Sequence, residues 1–358
     1  MKRFRKIYSL IFTLCLLSFT TFALLDTFVI TRVYATVEEP AVLTDTGSTV
    51  IEENTTAAEA ETQIEASIQT ESTVRTLSAK HGGRGHGKKT ETAEDDEKTD
   101  SNSTEPSEES SVSQVLPESA VESNDAQISI SEYRVDDTTV YVADVRISSA
   151  SQLKTAFSQN SYGRNVTADT SDTAEAVGAL LAINGDNYGS REKGYVIRNG
   201  VLYRDKAAKD QEDLVIYADG SFEIIREDEV TAQELLEAGA VQVLSFGPGL
   251  MENGEISVDK NDEVDRAKAS NPRTAIGIIE EGHYVFVVSD GRTDASEGLT
   301  LYELAEFMQS LGVQTAYNLD GGGSSTMVYS GEVVNQPTGG HGIEERAVTD
   351  IIYIEGGE

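Results

Sequence analysis

The sequence is poor in cysteine and histidine, and these shortages exclude several kinds of site. Its one cysteine, Cys15, lies in the apolar N-terminal segment, so the rest of the chain can form neither an internal disulfide nor a cysteine metal site. Of the four histidines, only His283 and His341 lie in the C-terminal part. The sequence has no His-Glu-x-x-His zinc motif and no Gly-x-Ser-x-Gly hydrolase motif. We therefore expect no metal and no cofactor.

Basic residues are also scarce. Lysine and arginine number 28 against 62 aspartates and glutamates, and the formal net charge is −34. A surface of this sign repels the phosphate backbone of DNA and RNA. Nucleic acid is therefore not an expected partner, and an anionic substrate would need a local cluster of arginines.

Long hydrophobic runs are absent except at the N-terminus, where residues 7–25 carry no charge behind a basic start. As a helix this run would span roughly 28 Å, close to the roughly 30 Å core of a bilayer. We predict that residues 1–35 form a membrane anchor, with the remainder outside the cell. The alternative is a cleaved signal peptide and a secreted protein, because Val33-Tyr34-Ala35 offers small residues to a signal peptidase.

Residues 36–126 are rich in Glu, Ser and Thr and show little hydrophobic periodicity. Such a segment cannot bury enough apolar surface to offset the entropy of ordering. We predict a disordered acidic linker with an r.m.s. reach of roughly 50 Å. Its basic island, residues 81–89, could contact an anionic cell-wall polymer, bind a metal weakly through His81 and His86, or act only as an unstructured charge-balancing patch.

Residues 127–358 alternate apolar runs with turn signals and predict one folded domain. Thr139–Ile147 reads as a strand, a short helix is expected from Ser149 through Phe157, and Ala179–Ile183 is typical of a central strand. Asn-Gly and Asp-Gly pairs at 199–200 and 219–220 predict two hairpins. Thr300–Leu311 predicts an amphipathic helix. The fold class is α+β, with a mixed, largely antiparallel sheet and a few packed helices.

Three consecutive glycines occur in Asn318–Ser325, which follows a predicted strand. A simple turn needs one or two glycines, whereas a longer glycine run lets backbone N–H groups approach a ligand oxygen. Asp320 supplies an acidic tip. The segment is not a nucleotide P-loop, because the Gly-Lys-Ser/Thr ending is missing. Its residues alone leave a binding loop and a plain turn both open.

Two other features occur at predicted strand ends. Asn184-Gly185-Asp186 follows a buried apolar run, where loops often place ligand-binding groups. Arg273, Arg292 and Arg346 also lie at strand ends. A guanidinium group can bind phosphate through two parallel hydrogen bonds, although an arginine taken alone is more often part of a surface ion pair. Their shared placement favours a phosphate site.

Taken together, these motifs resemble the phosphodiester glycosidase family. The resemblance covers about Val140 to Ile354 and rests on the following segments: Asn184-Gly185, Asn271–Gly277, Asp290-Gly291-Arg292, Asn318–Ser325 and Arg346. It implies an extracellular hydrolase that cleaves the bond between an anomeric carbon and a phosphate oxygen. The implied partner is a phosphosugar or glycan substrate.

The resemblance also implies roles for individual residues. A phosphate monoester leaves as a stabilised anion, so arginine contacts can replace the acid that ordinary glycosidases use. Arg273, Arg292 and Arg346 would hold the phosphate. Asp320 would act at the anomeric carbon as nucleophile or base, with Asp186 and Asp290 as rival carboxylates. The further substrate contacts expected are Asn184, Gly185, Asn318, Gly321, Gly322, Gly323, Ser324 and Ser325.

Two other functions stay open at this point. The first is a non-catalytic cell-envelope module that binds phosphosugar polymers such as wall teichoic acids through the same pocket. The second is a purely structural surface domain, in which the arginines would be far apart. The distinguishing observation is whether Asn184, Arg273, Arg292 and Asp320 converge.

Overall fold

The computed structural model describes residues 2–37, 112–114, 119–122, 126–262, 270–340 and 342–356. Residues 1–39 and 109–358 belong to one compact unit, and the second unit, residues 40–108, lies outside the described residues. The α-helices are α1 Lys2–Phe28, α2 Thr170–Ala176, α3 Ala232–Glu237 and α4 Leu301–Ser310. The strands are β1 Arg32–Thr36, β2 Val112–Gln114, β3 Ser119–Glu122, β4 Ala126–Val135, β5 Thr138–Ile147, β6 Leu153–Phe157, β7 Ser161–Arg164, β8 Ala179–Asn184, β9 Val196–Arg198, β10 Val201–Arg204, β11 Glu212–Tyr217, β12 Phe222–Arg226, β13 Ala240–Leu244, β14 Gly249–Glu252, β15 Glu255–Ile256, β16 Arg273–Glu280, β17 His283–Ser289, β18 Thr315–Asn318, β19 Met327–Tyr329, β20 Glu332–Val333 and β21 Asp350–Glu355.

The N-terminal segment begins with α1 and continues into β1. Within the described ranges, no helix is long and apolar enough to cross a membrane. Inside the segment predicted as a linker, β2 and β3 both pair with β4. The basic island at residues 81–89 and the loop residue His341 lie outside the described residues.

Three sheets build the domain. The largest has the order β15-β14-β18-β16-β17-β5-β4-β2, with β3 also beside β4. The other two have the orders β10-β9-β13-β11-β12 and β20-β19-β8-β21-β6, and β1 pairs with β7 alone. Every pairing between named strands in the described residues is antiparallel. The predicted α+β class with largely antiparallel sheets is confirmed.

The main core lies between these sheets and explains the apolar runs of the sequence. Phe286 on β17, Ile183 on β8 and Leu214 on β11 come from three different sheets and pack in one buried cluster. The opposite face of the largest sheet is covered by α4, whose Leu304 and the rest of its apolar side are buried. Thr300 and Glu303 form a capping box that begins α4. Burial on both faces accounts for the unbroken hydrophobicity of β17.

One predicted helix is wrong. Ser149 does cap a turn, but that turn is a single 3-10 turn over Ala150–Gln152, and Leu153–Phe157 is strand β6. The residues of β6 are alternately buried and half-buried, which is the period-two pattern of a strand. In the sequence, Lys154 and Thr155 are adjacent and Leu153 and Phe157 are four positions apart. That spacing also fits one face of a helix, so periodicity over so short a run could not distinguish helix from strand.

Two strand ends bring the predicted loops together. In the largest sheet β18 lies beside β16, with Asn318 opposite Ala275. In the third sheet β8 lies beside β21, with Asn184 opposite Ile351. The loop after β18 meets the loop after β8 where the Asp320 N–H donates to the Gly185 carbonyl at 3.3 Å. The candidate site lies at this junction.

Candidate functional site

The glycine loop packs against the chain segment that begins β16. The Gly322 N–H donates to the Pro272 carbonyl oxygen at 2.8 Å. A Cβ atom on Gly321 would lie 2.8 Å from the same oxygen, and one on Gly322 would lie 2.7 Å from Arg292 Nη2. Gly322 also has a φ of +62°, which favours glycine. The glycines are therefore required for close packing against Pro272 and Arg292.

Asp320 and Arg346 form the ion pair at the centre of the loop. Arg346 Nη2 lies 3.1 Å from Asp320 Oδ2 and also donates to the Gly321 carbonyl at 3.2 Å. Arg346 Nε donates to the Ser324 hydroxyl at 2.8 Å. The Asp320 side chain is 11% exposed and that of Arg346 is 44% exposed. The carboxylate is thus nearly buried, while its guanidinium partner reaches solvent.

The pKa of Asp320 is raised above its ordinary value. Burial is the largest cause, because it penalises the charged form, and the charge of Arg346 and a hydrogen bond from Ser324 offset part of it. The charge of Arg191 also favours the ionised carboxylate. Asp320 therefore lies near at least two guanidinium groups in a poorly hydrated position, which is a setting that active sites often use.

Asn184 is fully buried and fixes the backbone of this loop. Its Nδ2 donates to the Asp320 carbonyl at 2.6 Å, while its Oδ1 accepts from the Thr274 hydroxyl at 2.8 Å and from the Thr326 N–H at 3.2 Å. The side chain thereby ties β8, β16 and the glycine loop together. Its hydrogen-bonding groups are used within the protein, so its place is behind Asp320.

Asn318 and Ser325 each carry a buried polar atom that no other described residue satisfies. Asn318 Nδ2 donates to the Gly247 carbonyl at 2.7 Å. Its Oδ1 and the Ser325 hydroxyl are buried and have no hydrogen-bond partner among the described residues. Unsatisfied buried polar atoms are uncommon in folded proteins.

Arg292 and Arg273 have different surroundings. Arg292 is exposed, has a left-handed φ of 62°, and donates from Nη2 to Asn271 Oδ1 at 3.0 Å beside Gly322. Arg273 is buried, and its Nε donates to the Leu299 carbonyl at 2.8 Å. Of the predicted phosphate-binding arginines, Arg292 and Arg346 therefore lie against the glycine loop with exposed side chains.

Asp290 and Asp186, the two carboxylates considered as alternatives to Asp320, are both engaged in contacts within the protein. Asp290 is buried, and its Oδ1 accepts from the Gln336 N–H at 2.8 Å and from Asn335 Nδ2 at 3.4 Å. Asp186 is fully buried; its Oδ2 accepts from the Ser245 N–H at 2.7 Å, and its Oδ1 lies 2.8 Å from Arg198 Nη2. Both carboxylates hold loops in place, which leaves Asp320 as the one with an exposed guanidinium partner.

A buried charge cluster that sequence reasoning missed lies beneath the loop after β8. Arg198 bridges Asp186 and Asp350, and its Nη2 is 2.8 Å from an oxygen of each. All three side chains are almost completely buried. A Cβ atom on Gly185 would lie 2.5 Å from Asp350 Oδ1. The buried cluster therefore leaves no room for a side chain at position 185. The available signal was a charged residue at the end of an apolar run, Arg198 at the end of β9 and Asp350 at the start of β21.

The two carboxyl groups of this cluster differ in pKa. Burial and the nearby Asp186 charge raise the pKa of Asp350 to about 7. Burial also acts to raise the pKa of Asp186, but the Arg198 charge and the Ser245 N–H outweigh it, so that pKa is lowered. Because one guanidinium faces two acids, the cluster holds an extra proton most readily on Asp350.

Asp350 makes the stability of the fold depend on pH. Its pKa rises from an ordinary value of 3.8 to about 7 in the folded protein, so the folded state binds more protons in that range. Stability contributed by this group is therefore lost as the pH rises from about 4 to about 7. We expect Asp350→Asn to shrink the fall in melting temperature between pH 4.5 and pH 7.5. An unchanged fall would contradict the assignment, and Asp205→Asn, an exposed position, is the control.

Arg191 is a second residue that the sequence did not single out. Its Nη1 donates to the Ser245 carbonyl at 2.9 Å, and its guanidinium lies 4.9 Å from the centre of the Phe246 ring. Its charge acts on the Asp320 carboxylate. Ser-Arg in a polar loop after β8 carries no distinctive pattern, so only the fold reveals this neighbour.

The observed geometry brings one nearly buried carboxylate and several guanidinium groups together around a glycine loop in an antiparallel α+β domain. Residues 177–355 match the family model described as phosphodiester glycosidase. The match covers half of the sequence, and the chain belongs to the phosphodiester glycosidase family.

Individual relatives agree with this membership. An uncharacterised protein derived from the SPbeta prophage of Bacillus subtilis (strain 168) is 32% identical over 181 residues, which cover 49% of this chain and 28% of that protein. The N-acetylglucosamine-1-phosphodiester alpha-N-acetylglucosaminidase of Mus musculus is 30% identical over 188 residues, which cover 48% of this chain and 36% of the enzyme. The chain therefore spans only about a third of the length of these curated relatives.

A solved structure shares the fold. The catalytic domain of zebrafish N-acetylglucosamine-1-phosphodiester alpha-N-acetylglucosaminidase, auto-inhibited by its pro-peptide, superposes with a TM-score of 0.52 at 24% identity. The match covers 69% of this chain and 88% of that domain. At this identity the likeness supports the architecture alone.

Proposed function

We propose that the domain hydrolyses the glycosidic bond of a sugar-1-phosphodiester. The observation that carries the proposal is the nearly buried Asp320 carboxylate, paired with the exposed Arg346 in a glycine loop that also contacts Arg292. The mouse relative is named for a sugar-1-phosphodiester substrate, which supports the same substrate class here.

In the proposed reaction, Asp320 acts at the anomeric carbon. The bond from that carbon to the phosphate oxygen breaks, and its electrons leave with the phosphate monoester. A water molecule supplies the new hydroxyl group, and its remaining proton passes to solvent, through Asp320 where that carboxylate acts as base. Arg346 orients the carboxylate and favours its ionised form. Arg292 and Arg346 present guanidinium groups to the departing phosphate, where charge develops in the transition state. No proton need be delivered to so good a leaving group.

Other residues position this machinery. Asn184 fixes the Asp320 carbonyl, and Asp186 holds the loop after β8 through Ser245. Arg191 contributes a further positive charge near Asp320. The Asn318 Oδ1 and Ser325 hydroxyl are candidate partners for substrate hydroxyl groups, because nothing in the described structure satisfies them.

We further propose that the domain works outside the cell and is attached to the membrane through its N-terminal segment. Support comes from the uncharged run at residues 7–25 behind a basic start. The test is the topology of the full chain in cells: a protease added outside intact cells should digest the domain. Protection of the domain would contradict this location.

The activity is tested by incubating the purified full chain with sugar-1-phosphodiesters that differ in sugar and aglycone. Release of free sugar together with a phosphate monoester in equal amounts supports the proposal. Tight binding without release would instead identify a non-catalytic module for phosphosugar polymers. Release of an intact sugar phosphate would place the cleavage at the other ester bond and contradict the mechanism.

Arg292 offers a specific test of phosphate binding. We expect Arg292→Lys to lower kcat/KM about tenfold, roughly 1.4 kcal/mol, because lysine cannot form two parallel hydrogen bonds to phosphate. Lysine keeps a Cβ atom, so the left-handed backbone at this position is equally strained in both proteins. The matched control is Arg134→Lys, whose guanidinium bonds Thr139 and the Ala295 carbonyl and should stay within twofold. Equal losses of kcat/KM for the two variants would show that Arg292 does not bind the phosphate.

A further inference from the structure

An extended segment near the N-terminus adds a strand to the folded domain. Strand β1 pairs antiparallel with β7, with Arg32 opposite Arg164 and Thr36 opposite Ser161. The register shifts between Val33 and Ala35, as at a β-bulge. The partner segment, residues 161–164, lies more than a hundred positions further along the chain. This is β-strand addition within one chain, a common way to bind an extended peptide.

A glycine in β7 permits this close approach. A Cβ atom on Gly163 would overlap the Arg32 carbonyl oxygen and lie 2.9 Å from the Val33 Cα atom. Any other residue at this position would push the added strand away. Glycine inside a strand often marks such an approach by another backbone.

Two asparagines hold the added segment at both ends of β7. Asn160 Nδ2 donates to the Val37 carbonyl at 2.9 Å, and the Val37 N–H donates to the Asn160 carbonyl at 3.1 Å. At the other end, Asn165 Nδ2 donates to the Ile30 carbonyl at 3.1 Å. Both asparagines have positive φ angles, 50° and 56°. The strand is therefore flanked by two polar clamps as well as paired along its length.

The added segment also contacts an aromatic cluster. Ala35 and Val37 pack against a buried group that includes Tyr162 and Tyr188, whose rings stack 5.2 Å apart. The Tyr34 ring lies 5.9 Å from the Tyr162 ring. Because Tyr188 lies in the loop after β8, the cluster connects the docked strand to the loop that carries Asp186.

We propose that residues 30–37 are a docking strand that keeps the N-terminal helix attached directly to the domain. The candidate peptidase site, Val33-Tyr34-Ala35, then lies inside the β1–β7 ladder, and cutting after Ala35 would leave only Thr36 of β1. The segment is retained in the mature protein. The domain is thus held at the end of the helix.

Paired cysteines test the docking in the full chain. In a Cys15→Ser background, Arg32→Cys with Arg164→Cys places two thiols at opposite positions, where antiparallel Cα atoms lie about 4.5–5.5 Å apart and a disulfide can form. Arg32→Cys with Ser161→Cys is the mismatched control, three residues along the strand and about 10 Å off register. We expect the matched pair to form an internal disulfide with at least fivefold higher yield.

The two asparagine clamps, Asn160 and Asn165, allow a second test of the docking. Asn160→Gly with Asn165→Gly keeps both positive φ angles accessible but removes the side-chain donors, so the matched disulfide should form at least threefold more slowly. Equal yields for matched and mismatched pairs would overturn the docking, and a disulfide between two chains would show that the strand comes from another copy. A mature protein whose mass begins at Thr36 after export would overturn retention.

Discussion

Replacing Asp320 by asparagine should lower kcat at least a hundredfold on a sugar-1-phosphodiester, about 2.7 kcal/mol or more of transition-state stabilisation. Asparagine keeps the size of the side chain and can still accept the 3.1 Å hydrogen bond from Arg346. It cannot act as a nucleophile or as a base. A positioned acid or base alone contributes about 10²–10⁴-fold, so the loss should fall on kcat and leave substrate binding within a fewfold of the original.

Two measurements make this result specific. Because burial raises the pKa of Asp320 and the reaction needs its ionised form, the acid limb of the kcat/KM profile should lie above the ordinary aspartate range. The anomeric configuration of the released sugar distinguishes the two roles, since a nucleophile gives retention and a base gives inversion. Asp205→Asn, an exposed control, should stay within twofold. If Asp320→Asn kept its activity within threefold of the parent protein, Asp320 would not be the catalytic carboxylate, and another carboxylate would have to act.

Local sequence patterns predicted much of the fold. The Asn-Gly and Asp-Gly pairs do turn the hairpins β9–β10 and β11–β12, and the predicted helix at Thr300–Leu311 is α4 with its capping box. These features depend on residues within a few positions of one another. Strand β1 was not predicted, because its five residues show no alternation and its partner β7 is distant in the chain. Pairings of that kind depend on tertiary structure.

Part of the candidate site could likewise be predicted from local sequence patterns. The glycine loop, Arg292 and Arg346 lie together as proposed, because each follows or precedes a strand and strand ends meet at sheet edges. Sequence could not show that Asn184 faces the protein interior behind Asp320. Nor could it reveal that Arg198 bridges two acids, since the three residues come from three separate elements that only the folded sheets bring together.

The largest effect on stability is expected at Arg198. We expect Arg198→Met to lower the free energy of unfolding by about 3–5 kcal/mol, because it leaves two carboxyl groups buried without their cation. Its guanidinium also donates to the Val243 carbonyl at 2.5 Å, so the substitution also removes a hydrogen bond to β13. Thermal or urea unfolding measures the difference. The control is Arg226→Met, whose ion pairs are exposed and contribute about 1 kcal/mol or less.

A compensating variant separates charge from packing at this position. Adding Asp186→Asn and Asp350→Asn to Arg198→Met removes the two uncompensated charges, so the triple variant should regain more than half of the lost stability. Its remaining deficit reports the lost bond to the Val243 carbonyl and the one N–H, of Tyr188 or Ser245, that a single amide oxygen cannot accept. If Arg198→Met alone were as stable as the parent protein, the buried cluster could not be what holds the loop after β8 against Asp320. Full recovery in stability without recovery of turnover would mean that the charges themselves, through Asp186, position that loop for the reaction.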